Sequence, residues 1–142
     1  MFNSADAAKG RIMTDKKILF VDDIELDRVL FRESLGNLGY AVTVVNGASD
    51  ALEALEKERF PLIVLDLRMP EMDGPELCRR IRETNSTSVI YAYSAFPGDF
   101  DFDMLETVGF DGRLFKPSGL EELQKAIDGA LEKAAERQTQ KD

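Results

Sequence analysis

From Lys17 onward the chain alternates between two hydrophobic rhythms. Short apolar runs read as strands: Ile18-Leu19-Phe20-Val21, Val42 to Val45, Pro61 to Leu65, Val89 to Tyr93 and Gly112 to Phe115. The first is compact enough to be buried on both faces. Between them lie stretches with helical spacing. Leu26, Leu30, Phe31, Leu35 and Leu38 mark the first helix, Leu52 and Leu55 a second over Ala48 to Arg59, and Leu77 and Ile81 a third over Gly74 to Arg82. Asp99 to Val108 predicts a weak fourth helix, rich in poor helix formers. The fifth carries the stripe Leu120, Leu123, Ile127 and Leu131 and starts at Ser118-Gly119-Leu120-Glu121, which has the form of a capping box. Gly39 and Gly109 are placed to end helices.

Five strand-then-helix units in a row require crossover connections. They predict an α/β fold with a parallel sheet and helices on both faces. One domain over residues 17–135 is expected, preceded by a flexible leader (1–16) and followed by a frayed polar tail (136–142). The leader lacks the apolar run of an export signal, and either Met1 or Met13 can serve as the start.

Composition narrows the chemistry. A chain of 142 residues suits one domain, and a net charge of −9 argues against nucleic acid and against an anionic membrane surface. The single cysteine, Cys78, forbids an internal disulfide and fits a reducing cytoplasm; beside Leu77 it reads as a packing residue. Histidine is absent, so any reaction rests on carboxylates, hydroxyls and amines.

Those groups fall in telling places. Asp22 and Asp23 follow the first strand, Asp66 the third, Ser94 ends the fourth and Lys116 follows the fifth. In open α/β sheets ligands bind at that edge, so residues distant in sequence should converge there. Three crowded carboxylates repel: a pair at ~4 Å costs roughly 4 kcal/mol at an effective dielectric of ~20. A cation or a proton must relieve them. An all-oxygen set selects a hard ion, and Mg²⁺ fits best because it keeps waters and favours phosphate co-ligands. Asp66 can then act as a nucleophile on phosphorus, with Lys116 and Ser94 contacting the phosphoryl oxygens. Taken singly each residue has a duller role: helix cap for Asp22 and Asp23, turn residue for Asp66, solvated amine for Lys116.

Over Lys17 to Ala135 the chain resembles the receiver (CheY-like) domain of two-component response regulators. The matching pieces are Ile18-Leu19-Phe20-Val21-Asp22-Asp23, Leu65-Asp66-Leu67-Arg68-Met69-Pro70-Glu71-Met72-Asp73-Gly74, Ser94-Ala95 and Phe115-Lys116-Pro117. The resemblance implies a flavodoxin-like three-layer sandwich, its five strands in the order 2-1-3-4-5 and flanked by five helices. It implies that Asp66 is the phosphoacceptor, that Asp23, Asp66 and the Arg68 backbone carbonyl ligate Mg²⁺, and that Asp22 acts through water. Ser94 would be the switch hydroxyl, Lys116 the phosphoryl grip, and Lys116-Pro117 a cis peptide. The expected partners are a sensor histidine kinase or phosphotransfer protein, a downstream protein target, and a second copy through the face of the fourth helix, fifth strand and fifth helix. Such a chain is a stand-alone regulator that catalyses only its own phosphorylation and dephosphorylation.

Two positions depart from the pattern. Arg113 stands where the family usually places a switching aromatic ring, and Phe96 where it often carries a polar side chain near the path of attacking water. Phe100 and Phe102 either reach the core or leave a ring exposed for partners. Among other functions, a haloacid dehalogenase-type phosphatase lacks its second Asp, since Arg68 holds that place. A flavin or nucleotide binder would want a phosphate loop where Asp22-Asp23 stand. An interaction module of the same fold that works without phosphorylation is the alternative that Arg113 keeps open.

Overall fold

The structure, a computed structural model, describes residues 16–95, 98, 100–116 and 118–141. The leader expected over 1–16 lies outside them except for Lys16, as do Phe96, Pro117 and hence the Lys116-Pro117 peptide. Ten elements alternate along the chain: β1 (Lys17–Val21), α1 (Glu25–Gly36), β2 (Ala41–Val45), α2 (Ala48–Lys57), β3 (Leu62–Asp66), α3 (Gly74–Arg82), β4 (Val89–Ser94), α4 (Phe102–Val108), β5 (Gly112–Phe115) and α5 (Leu120–Lys141). The five strands form one parallel sheet in the order β2-β1-β3-β4-β5. This is the order that the resemblance implies.

Alternation along the central strands sends successive side chains to opposite layers. Ile18, Phe20, Leu62 and Val64 pack on one face against Phe31 and Leu35 of α1 and Leu123, Ile127, Ala130 and Leu131 of α5. Leu19, Val21, Ile63, Leu65, Ile90 and Ala92 face the other way, onto Ala51 of α2, Leu77, Cys78 and Ile81 of α3 and Leu105 of α4. β1 and β3 are thus buried on both sides, whereas β2, at the edge, shows an exposed face.

The structure corrects several expectations. Leu26 and Leu30 do not enter the core and are 64% and 52% exposed. They sit one residue before the i, i+4 row of Phe31 and Leu35, about 100° round the helix from the face that meets the sheet. Gly39 does take positive φ, at 96°, but three residues beyond the end of α1, in the turn where the Tyr40 amide returns to the Leu35 carbonyl. α4 starts at Phe102, capped by Asp101, whose carboxylate accepts from the Asp103 amide at 2.9 Å. The Ser118 hydroxyl donates back to the Phe115 carbonyl. Most consequentially, α5 runs on to Lys141, past Ala135, where a frayed tail was expected. The reason is Arg137, which reaches the Ser88 carbonyl at 3.2 Å and the Asp111 carboxylate at 3.0 Å, both at the opposite end of the sheet from the acidic residues.

Candidate functional site

The C-terminal ends of β1, β3, β4 and β5 lie side by side, and the crossovers leave a crevice above them. Asp22 follows β1 directly. Its amide still pairs with the sheet, donating to the Val45 carbonyl at 3.2 Å, and its side chain is fully buried. Asp22 Oδ1 accepts from the Ile24 amide at 2.9 Å, closing a turn just ahead of α1, whose N-terminus has no side-chain cap. Asp23, the next residue, is exposed. Asp66 is the last residue of β3 and only 6% exposed. Asp22, Asp23 and Asp66 each offer an oxygen within 4.8 Å of the others, so the predicted convergence occurs.

Close backbone packing holds Asp66 in place. Gly74 opens α3, and a Cβ there would lie 2.4 Å from the Asp66 carbonyl oxygen and 2.9 Å from Leu67 Cα. Only glycine lets the helix approach the end of β3 so closely. Asp73 caps α3 by accepting from the Glu76 amide at 3.0 Å, and Glu71 takes a left-handed φ of 68° in the turn between. The Arg68 amide points back to Asp66 Oδ1 at 3.4 Å, a long bond.

Lys116 enters from the end of β5, where its amide donates to the Ser94 carbonyl at 2.8 Å and so ties the ends of β4 and β5 together. Its Nζ donates to Asp22 Oδ2 at 2.8 Å and to Asp27 Oδ2 at 3.0 Å, and lies 3.7 Å from Asp66 Oδ1. It also stands 5.1 Å from the centre of the Tyr93 ring, whose edge meets Phe20 and Phe31 in the core. Asp27 escaped the sequence reading. An acid in a first helical turn is common enough that its sequence position alone did not single it out.

The electrostatics follow from crowding and burial. Burial, with the Asp22 charge beside it, pushes the Asp66 carboxyl up to about 7 against the opposing pull of Lys116. Asp22 is raised too, by burial, although bonds from Lys116 and the Ile24 amide resist. For Lys116 burial acts downward, but hydrogen bonds to Asp22 and Asp27 and the charges of Asp22 and Asp66 outweigh it and hold the ammonium above the ordinary lysine range. One ammonium therefore leaves negative charge uncompensated. An all-oxygen set in that condition fits a hard divalent cation.

The other predicted positions are more dispersed. Arg68 lays its guanidinium over the Phe100 ring at 5.5 Å. Arg113 is exposed and stands over the Phe102 ring at 4.8 Å and the Phe115 ring at 5.2 Å, a charged contact in place of the missing aromatic. Phe100 and Phe102 are both half-buried and pack against the core, while Met104, Phe115 and Leu120 are exposed.

The response regulator receiver domain family matches residues 18–128. The chain belongs to this family. Among curated relatives, it is 36% identical over 115 residues to the response regulator MprA of Mycobacterium leprae, covering 81% of this chain and 50% of MprA. It is 34% identical over 116 residues to the autoinducer 1 sensor kinase/phosphatase LuxN of Vibrio campbellii, covering 82% of this chain but only 14% of LuxN. Similar receiver structures include the chemotaxis protein CheY4 of Vibrio cholerae, with a TM-score of 0.75 and 28% identity over 80% of this chain and 97% of that one. The receiver domain of sensor histidine kinase PA1611 from Pseudomonas aeruginosa, solved with magnesium coordinated in its active site cleft, aligns with a TM-score of 0.74 and 29% identity over 81% and 96% of the two chains. Receiver domains thus occur among these relatives both as nearly the whole of a solved chain and as a small part of a kinase. Among the described residues of this one, no helix is long and apolar enough to cross a membrane.

Proposed function

We propose that this receiver domain accepts a phosphoryl group on Asp66 in a Mg²⁺-dependent reaction and signals through the resulting change of its surface. The observation that carries the reading is the meeting of three carboxylates within 4.8 Å, with the Lys116 ammonium 3.7 Å from Asp66. Asp23, Asp66 and the Arg68 carbonyl would hold the cation, with Asp22 acting through water. Bound there, it would neutralise oxygen charge on the incoming phosphoryl group.

The chain's own residues do the rest. An Asp66 oxygen forms the bond to phosphorus while the bond from phosphorus to the donor's leaving atom breaks. Lys116 follows the charge to a phosphoryl oxygen, and the Ser94 hydroxyl, at the end of the neighbouring strand, donates to another. The domain thereby catalyses only its own modification. The donor is a sensor histidine kinase or a phosphotransfer protein, in keeping with the kinases among the relatives. A groove of about 520 Å³ between α1 and α5, lined in part by Ile24, Leu30 and Leu120, opens beside Lys116 and offers apolar surface to a donor that must reach Asp66. Output runs through the α4–β5–α5 face to a protein target or a second copy, in the cytoplasm, and the chain acts as a regulator in its own right.

The test is intact-protein mass after incubation with Mg²⁺ and acetyl phosphate. Wild type should gain one phosphoryl group and Asp66→Asn none. A gain in both would mean the wrong acceptor. No gain in wild type, with Mg²⁺ binding established and rapid hydrolysis excluded, would favour an interaction module that works without phosphorylation, a reading supported by the Arg113 contacts at the switch position.

A further inference from the structure

Lys116 is bonded to a residue that phosphoryl transfer to Asp66 does not by itself require. Asp27 lies in the first turn of α1, beside Arg28, whose guanidinium donates to the Asp22 backbone carbonyl at 2.8 Å. An ammonium has three donors, and here two are committed, to Asp22 at 2.8 Å and to Asp27 at 3.0 Å. Both are lengths of charge-assisted hydrogen bonds, whereas 3.7 Å to Asp66 is beyond one. The Lys116 side chain is 14% exposed, so solvent offers it few alternative partners.

We propose that Asp27 is a positioning residue: by sharing the Lys116 ammonium with Asp22, it keeps that cation from closing on the Asp66 nucleophile. The Asp66 oxygens stay open to a divalent ion and to phosphorus, while the ammonium waits within a short swing of both. The proposal rests on the reading of Asp66 as phosphoacceptor. Remove the Asp27 charge, and the nearest remaining counter-charges are Asp22 and Asp66. The ammonium then settles on Asp66, and an incoming cation must displace it. Asp27→Asn therefore weakens divalent binding by two routes, the loss of a nearby charge and a new competition. Only the second passes through Lys116.

A double-mutant cycle separates the routes. Mg²⁺ affinity is measured by titration calorimetry at fixed ionic strength for wild type, Asp27→Asn, Lys116→Met and the double variant. Glu25→Gln serves as the control, because Glu25 is the other acid of the same first turn and is exposed. Asp27→Asn should weaken binding about fivefold or more, Glu25→Gln less than about twofold, and Asp27→Asn in the Lys116→Met background no more than the control. An equal factor in both backgrounds overturns the proposal. A second readout needs no cation: the ¹⁵N signal of the Lys116 ammonium should shift in Asp27→Asn and stay put in Glu25→Gln. Should Lys116→Met fail to fold, with Asp22 buried beside no cation, that signal decides, and an unmoved ammonium refutes the role. A wild type that is phosphorylated on Asp66 yet shows additive effects removes only Asp27 from the account. One that neither binds Mg²⁺ nor takes a phosphoryl group removes the reading of the pocket, and this proposal with it.

Discussion

Arg137, near the end of α5, lays its guanidinium along the carboxylate of Asp111 at the entry to β5, Nη1 donating to Oδ2 at 3.0 Å and Nη2 to Oδ1. The same carboxylate accepts from the Ile90 amide and from Arg82 Nη2, both at 2.9 Å, while Arg82 also serves the Gly109 and Ser88 carbonyls. Burial alone would raise the Asp111 pKa, but the bonds from Arg137 and the Ile90 amide and the two guanidinium charges bring it below the usual carboxylate range. One acid thus joins α3, β4, β5 and the end of α5. Arg137→Ala should cost roughly 1–2 kcal/mol, because Arg82 still satisfies Asp111. Urea unfolding measures this, and loosening should be confined to the last turns of α5 in hydrogen exchange.

The raised Asp66 pKa makes a stability prediction with a definite sign. Folding lifts this carboxyl from the ordinary 3.8 to about 7, so between those values the folded state holds a proton that the unfolded state has released. Its contribution is greatest below the unfolded pKa and is lost as pH rises through about 7. Without added divalent cation, the Tm of Asp66→Asn minus that of wild type should grow between pH 5 and pH 8. A constant difference would mean that Asp66 is not perturbed. Added Mg²⁺ should shrink the gap at pH 8 by binding the ionised form.

Gly74→Ala should disturb site and fold together. The new methyl group meets backbone on two sides, at 2.4 and 2.9 Å, and neither atom can swing aside. Overpacking of this kind costs about 1–3 kcal/mol. Because the obstructing oxygen belongs to Asp66, Mg²⁺ affinity should fall even in the fraction that remains folded. Gly36→Ala, with open space around the new methyl group, is the matched control and should leave that affinity unchanged.

Arg113→Ala tests the charged contact that replaces the usual ring. Two ring contacts at 4.8 and 5.2 Å on an exposed side chain predict a loss of about 0.5–1 kcal/mol in urea unfolding, accompanied by faster amide exchange in α4. A stability loss with no change in α4 would place the contribution of Arg113 elsewhere.

The parts legible in the sequence were those in which period and chemistry coincide. Asp22, Asp66, Ser94 and Lys116 lie at strand ends, and strand ends can be read from short apolar runs; the parallel topology then brings those residues to one edge. What stayed hidden depends on rotation or on distance. Leu26 and Leu30 share the leucine pattern of α1 but face away from the sheet, because only one row of that helix can meet it. Asp27 joins the site through Lys116, 89 residues away, and an isolated acid in a first helical turn looks like any other favourable dipole contact. Arg137 looked like part of a solvated tail because its partner lies 26 residues upstream. Local composition carries no trace of such a pairing.

The placement of Tyr93 under Lys116 gives the domain an optical gauge of its own. The chain has no tryptophan to drain or mask tyrosine emission, and only three tyrosines. Tyr40 bonds through its hydroxyl to the Asp128 carboxylate, and Tyr91 packs against Gly112 and feels the charge of Asp111 at the far end of the sheet. Tyr93 alone of the three carries the ammonium that would follow the phosphoryl group. Intrinsic emission will therefore follow the pocket as it fills, in the unlabelled protein and in real time.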